Sequence, residues 1–165
     1  MAAHTDVAPP PFVEVVPVVS AQDMFDAVTS RADAQDIIIK AAAVADYTPV
    51  TTADQKMKKQ DGELSIALRR TPDILRYLGE HKRPGQFLCG FSMETEHVLE
   101  NSRKKLVSKN ADMICANSLR TEGAGFGVDT NIITLITAQT DEALPLLSKE
   151  AAAHRILDAI RDRMA

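Results

Sequence analysis

IIIKAAAVADYTPVTTADQKMKK, residues 37–59, is the stretch from which the rest of the chain can be read. A β-branched apolar run opens it, four alanines interrupted only by Val44 follow, and a single carboxylate, Asp46, stands where the apolar run ends. That order predicts a buried strand, Ile37 to Ala43, running out into a binding loop. In open α/β sheets ligands lie beyond the carboxyl ends of the strands. Side chains as small as Ala42 and Ala43 let a flat ring or a sugar approach the backbone. Asp46 and Tyr47 would then face the ligand. Lys56, Lys58 and Lys59 follow on a polar loop that also carries Pro49. Lysines beside such a crevice fit a polyphosphate, although a lysine cluster on a loop is often only solvated surface.

Working outward, Phe12 to Val19 is rich in valine and is expected to be a strand, with Pro17 tolerated near its end. Residues 1–11, with Pro9, Pro10 and Pro11, read as a disordered lead-in, and 12–165 as one domain. Ser20 with Asp23 three residues later has the form of a capping box, and Met24, Phe25 and Val28 give the helix an apolar stripe, to about Arg31. With the strand at Ile37 these make a βαβ unit, so the class expected is α/β: a Rossmann-like, mostly parallel sheet flanked by helices. Asp61-Gly62, followed by alternating Leu64, Ile66 and Leu68, signals an inserted β-hairpin or flap.

Thr71-Pro72-Asp73 combines a cap, a proline suited to the first helical position and an early acid, starting a helix to about Glu80. Its exposed N–H groups would let Pro72, Asp73, Ile74 and Leu75 border an anion, and an ordinary capped helix reads equally well. Phe87 to Phe91 is a further strand in which Gly90 makes room, and Thr95 is expected to cap a helix from Glu96 to about Lys109. Lys105 and Lys109 are four apart and share a face. Asp112 to Ala116 is another strand, ending at Asn117, whose amide can donate and accept. Gly123, Gly125 and Gly127 precede the β-branched strand Asn131 to Ala138. They therefore make turns, with Phe126 tucked inward, and not a dinucleotide fingerprint, which must leave a strand and open a helix. Ser148 caps a last helix with Ala152, Ile156, Leu157 and Ile160 on one side.

Composition narrows the function. A net charge of −4 and 45% hydrophobic residues describe a globular chain without the broad basic face of a nucleic-acid binder. No apolar run reaches the ~18 residues of a membrane span, and no signal peptide opens the sequence. Cys89 and Cys115 lie in apolar runs with neither zinc-ligand nor disulfide-framework spacing. A cytoplasmic location with reduced thiols follows as the expectation.

AAAVADY at 41–47, QKMKKQ at 55–60, TPDIL at 71–75, GFSMET at 90–95 and DMICAN at 112–117 together resemble phosphopantothenoylcysteine synthetase, from about Pro9 to Arg163. The resemblance implies an amide ligase of coenzyme A biosynthesis, unrelated to ATP-grasp enzymes and often fused to an FMN-dependent decarboxylase that is not part of this sequence. It joins 4'-phosphopantothenate to cysteine using CTP and Mg2+, with the metal held by the triphosphate and not by the protein alone. By the same resemblance Asp46 contacts the nucleotide, Lys56 neutralises charge as the phosphates separate and is the catalytic residue, and Pro72, Asp73, Ile74 and Leu75 line the cytidine pocket. Phe91 packs on the base or sugar, and Lys105 and Lys109 hold it from the neighbouring helix. Ala42, Ala43 and Asn117 fall in the pocket for substrate and intermediate. A homodimer is implied, with Leu64 to Leu68 at the contact.

The family's early strand and glycine-rich GGT turn have no counterpart here, so the resemblance implies a partial ligase domain, a fragment or an incomplete gene product. The alternatives are a non-catalytic α/β nucleotide-binding fragment of that enzyme and, less well supported, an NAD(P)-dependent oxidoreductase.

Overall fold

A computed structural model describes residues 8–53, 55–58, 62–118 and 128–165. The glycines at 123, 125 and 127, Phe126, Lys59, Asp61 and most of the lead-in lie outside the described residues. The chain divides into two compact units, Met1–Val28 with Ala43–Asp73, and Thr29–Ala42 with Ile74–Ala165.

In the first unit the residues from Phe12 to Val19 form no strand. Pro17 makes an isolated bridge, and Phe12, Val13, Val15 and Val19 are exposed. Valine content favours a strand only where a neighbouring strand takes up the backbone groups, and Pro11 and Pro17 each remove a donor. The expected βαβ opening is therefore absent. Helix α1, Ala21–Ala32, begins as its capping box requires. The Ser20 hydroxyl accepts from the Asp23 N–H at 3.1 Å, and the Asp23 carboxylate accepts from the Ser20 N–H at 2.8 Å. Those bonds, the Ser20 backbone bond foremost, hold the Asp23 carboxyl below the usual carboxylate range.

Strand β1 is Ile37–Lys40, shorter than expected, and β2, Tyr47–Pro49, pairs antiparallel with β3, Leu68–Arg70. The flap exists, but its strands lie farther from Asp61-Gly62 than expected, and residues 63–67 are not in a strand. Tyr47 is paired with Arg70, whose guanidinium lies 5.9 Å from the Tyr47 ring centroid, a cation–π arrangement.

In the second unit helix α2 is Ile74–Glu80, starting later than the Thr71-Pro72 signal. Thr71 is drawn instead to a distant loop, its hydroxyl donating to Ala45 O at 2.6 Å and its N–H to Asp46 O at 3.0 Å. Strand β4 is Phe87–Glu94, helix α3 is Val98–Ser108 and strand β5 is Met113–Ser118. Thr95 does not cap α3. His97 stands at that position in the left-handed region, φ 50°, with no side-chain cap bond. Short strands β6, Thr130–Asn131, and β7, Ile133–Ile136, replace the single strand expected at 131–138. Strand β8, Asp141–Ala143, and β9, Leu147–Ser148, lead into α4, Lys149–Met164, where Ser148 Oγ accepts from Ala151 N at 3.1 Å.

The main sheet has the order β1-β4-β5-β7-β8. Its β1-β4-β5 core is parallel, as the α/β class requires, and β7 and β8 extend it antiparallel. Among the described residues β1 pairs with β4 alone, and Ile37 and Ile39 are exposed and not buried as expected. Alternation in β4, β5 and β7 sends Phe87, Cys89, Met113, Cys115, Ile133 and Leu135 to one face, packed with Ala152, Ile156, Ala159 and Ile160 of α4. Leu157, placed on that side from the sequence, is exposed instead, and Ala159 fills the stripe. On β4, a Cβ at Gly90 would stand 2.6 Å from Leu75 Cδ2 and 3.0 Å from Ile114 Cδ1. Its room is filled by Leu75 and Ile114.

Candidate functional site

In the first unit Asp46 is exposed where the small-residue run enters the flap. The two Thr71 bonds to Ala45 O and Asp46 O tie this loop to the segment carrying Pro72 and Asp73. A carboxylate and the approach to α2, far apart in sequence, are thereby held side by side. Lys56 and Lys58 are exposed on irregular backbone of the same unit, and Ala43 is exposed at the start of the run. The arrangement can accept a hydrogen bond at Asp46 and present cations to phosphate oxygens, the combination a nucleoside triphosphate needs.

In the second unit Ala42 is exposed, and its carbonyl accepts from Lys40 Nζ at 2.7 Å. Ile74 and Leu75 are buried, main chain included. Phe91 is half-buried and packs against the α4-side core. The Lys105 ammonium donates to Phe91 O at 3.1 Å, so these two expected site residues meet. Lys109 follows the last residue of α3, and its carbonyl faces Gly79 of α2. It caps α3, and its N–H donates to Lys105 O at 3.0 Å, one helical turn back. Asn117 is buried near the carboxyl end of β5, opposite Met93 and Ile133, and its side-chain oxygen has no hydrogen-bond partner among the described residues.

One polar group escaped the sequence reading. Ser92 Oγ donates to Glu94 Oε1 at 3.0 Å, and Asn101 Nδ2 approaches Glu94 Oε2 at 3.4 Å. Strand alternation from Ser92 to Glu94 puts both on one face, and this was the available signal. Neither cysteine is a nucleophile. Both are free and buried, 3.6 Å apart, and the hydrogen bond with Cys89, then burial, pushes the Cys115 thiol far up. Among the described residues no group of three or more His, Cys, Asp or Glu side chains could hold a metal ion.

The family described as the DNA/pantothenate metabolism flavoprotein C-terminal domain matches residues 1–164. This chain belongs to that family. The coenzyme A biosynthesis bifunctional protein CoaBC of Bacillus subtilis (strain 168) is 50% identical over 153 residues, covering 92% of this chain and 37% of that protein. For the CoaBC of Escherichia coli (strain K12) the identity is 40% over 157 residues, covering 93% and 39%. The chain thus spans under two-fifths of the length of these relatives. The crystal structure of the C-terminal domain of CoaBC superposes with a TM-score of 0.79 at 42% identity, over 98% of this chain and 73% of that one. A Cab2 variant solved with phosphopantothenate-cysteine shares the fold, with a TM-score of 0.70 at 19% identity over 90% of this chain and 52% of its own. These are the family and fold that the sequence resemblance implied. No helix among the described residues is long and apolar enough to cross a membrane.

Proposed function

We propose that this flavoprotein C-terminal-domain chain is the nucleotide-handling part of a cytoplasmic phosphopantothenate–cysteine ligase that uses CTP. The observation that carries the reading is its likeness to the CoaBC C-terminal domain over 98% of its length at 42% identity. The 4'-phosphopantothenate carboxylate attacks the α-phosphorus of CTP, pyrophosphate leaves, and an acyl cytidylate forms. The cysteine amine then attacks the acyl carbon, CMP leaves, and the amine gives up a proton. Neither step needs a side-chain nucleophile. The protein's share is placement and stabilisation of phosphate charge.

Asp46 takes a hydrogen bond from the nucleotide, and the segment Pro72, Asp73, Ile74 and Leu75 borders the cytidine. Lys56 meets the charge that grows as pyrophosphate departs. Phe91 lies against base or sugar, with Lys105 and Lys109 as further cations, and Ala42, Ala43 and Asn117 take the substrate and intermediate. Among the described residues no carboxylate, histidine or cysteine cluster could cage Mg2+; a divalent cation would arrive with the triphosphate, whose oxygens would supply its ligands. FMN has no part in this chemistry. A homodimer fits the exposed apolar side chains of Leu64, Ile66 and Leu68.

Calorimetric titration with CTP, ATP and NADH tests the nucleotide, and preference for NADH would sink the ligase reading. Pyrophosphate release from CTP with phosphopantothenate tests the chemistry, and Lys56→Ala is expected to slow it by about 10²–10³-fold with the fold unchanged. A second reading is binding without turnover. CTP binding with no pyrophosphate release would select it.

A further inference from the structure

Three buried side-chain polar atoms have no hydrogen-bond partner among the described residues: Arg83 Nε, Ser102 Oγ and Asn117 Oδ1. Arg83 still spends its Nη2 on Gln35 O at 3.0 Å, and Ser102 lies inside α3, on a face packed away from solvent. Asn117 is different in kind. It is 5% exposed and sits in a cross-strand row with Met93 and Ile133, both apolar. The next row down the sheet is Phe91, Cys115 and Leu135. An amide carbonyl at this position disturbs an otherwise apolar face, and leaving such an oxygen unpaired costs stability. It also stands near the carboxyl end of β5, beside the parallel strand β4, where α/β sheets receive ligands. Local rules broken without internal compensation are what functional positions display.

We propose that Asn117 is a specificity-determining residue whose side-chain oxygen accepts a hydrogen bond from an N–H group of the ligand. The proposal rests on the ligase reading and deepens it. Two donors in that chemistry qualify: the exocyclic amine of cytosine, which uracil replaces with a carbonyl, and the amide N–H groups of 4'-phosphopantothenate. A site built to pair a donor rejects an analogue that lacks one much more strongly than an apolar pocket rejects a change of shape.

The test uses the full chain, its Asn117→Leu variant and, as a smaller replacement, Asn117→Ala. Each is titrated calorimetrically with CTP, UTP and 4'-phosphopantothenate, and each is melted without ligand. Leu is close to Asn in size and needs no partner, so Asn117→Leu is expected to melt at the wild-type temperature or above while losing tenfold or more in affinity for one ligand. Loss for CTP, together with collapse of the preference for CTP over UTP, assigns the oxygen to the cytosine amine. Loss for 4'-phosphopantothenate with CTP unchanged assigns it to the amide. Should Asn117→Leu misfold, Asn117→Ala must show one of these losses. Wild-type affinity within twofold for both ligands in a folded variant overturns the proposal and leaves the ligase reading standing, and the oxygen is then a structural group. Failure of the wild-type chain to bind either ligand overturns both.

Discussion

Gly79→Ala is the sharpest probe of how this fold is assembled. In an ordinary exposed helix the change would stabilise by about 1 kcal/mol, since alanine restricts the unfolded chain and favours helix. Gly79 lies inside α2, and a Cβ there would stand 2.7 Å from the carbonyl carbon of Lys109, nearer still to its oxygen, and 3.3 Å from Asn110 Cβ. The obstacle is backbone, so no rotamer change relieves it. That backbone is also pinned. Lys109 N donates to Lys105 O at 3.0 Å, Ala111 N to Leu106 O at 3.0 Å, Asn110 Nδ2 to Gly79 O at 2.8 Å, and Lys82 Nζ to Asn110 O at 3.1 Å. Relief requires α2 to part from the α3–β5 turn. Overpacking ordinarily costs about 1–3 kcal/mol, and a rigid obstacle puts this case at the upper end, so a net loss of about 3 kcal/mol is expected. For a chain of this size that is a fall in melting temperature of about 6–12 °C. Gly90→Ala supplies the control, because its Cβ would meet the ends of Leu75 and Ile114, which can turn aside. Urea unfolding followed by circular dichroism reads both. Gly79→Ala as stable as wild type, or less damaging than Gly90→Ala, would refute the close approach of α2 to this turn. Because Lys109 sits on the turn, the ligase reading also expects CTP affinity to drop in Gly79→Ala.

Four further outcomes are expected. Asp112→Ala removes an acceptor shared by Lys82 Nζ at 2.8 Å and Leu88 N at 2.7 Å, and urea unfolding should show a loss of about 1–3 kcal/mol. Ser148→Ala deletes the α4 cap and should cost about 1 kcal/mol, with Ser148→Asp recovering most of it in thermal melts. Asp46→Ala should weaken CTP binding by about 1–3 kcal/mol in calorimetry without altering the melting temperature, since the side chain is exposed and the loop is held by its main chain. Asp23 is held below its ordinary value of 3.8, so its support of α1 is present above that pH and is lost as pH falls through the folded value; helical signal in acid should therefore fall earlier for wild type than the flatter profile of Asp23→Asn.

What could be read from the sequence was what short-range chemistry decides. The capping pairs Ser20–Asp23 and Ser148–Ala151 are local, and both formed as expected. The cores of β4, β5 and β7 are apolar runs that would have been buried in any arrangement of the α/β class. Errors arose where a distant partner won. Thr71 has all the marks of a cap, yet its hydroxyl serves Ala45 O, 26 residues away, and α2 starts later. The segment Phe12–Val19 has strand composition and no described strand to pair with. Gly79 carries no local mark of its close approach to the Lys109 carbonyl, which comes from α3 thirty residues on. For the candidate site, residue types and order were legible, whereas the Lys105 bond to Phe91 O joins a helix to a strand and no local pattern announced it. The unpaired oxygen of Asn117 was not legible, because satisfaction of a hydrogen bond is a property of all the neighbours together.

On the proposed ligase reading, the two kinds of lysine in this chain bear differently on acyl-phosphate chemistry. Lys105 is half-buried and already tethered, with one N–H on Phe91 O and two more that the same ammonium can offer. Much of its ordering cost was met during folding, so a ligand anion gains its charge cheaply in the ground state. Lys56 is exposed on irregular backbone, and fixing such a side chain costs up to about 2 kcal/mol. That cost is recovered only where the attraction grows, which happens as the bond to pyrophosphate breaks and charge gathers on the departing oxygens. An anchored cation therefore suits affinity and an unanchored one suits the barrier, since only interactions stronger in the transition state than in the ground state accelerate the step. With both thiols buried, the proposed ligase chemistry rests on that division of labour between cations.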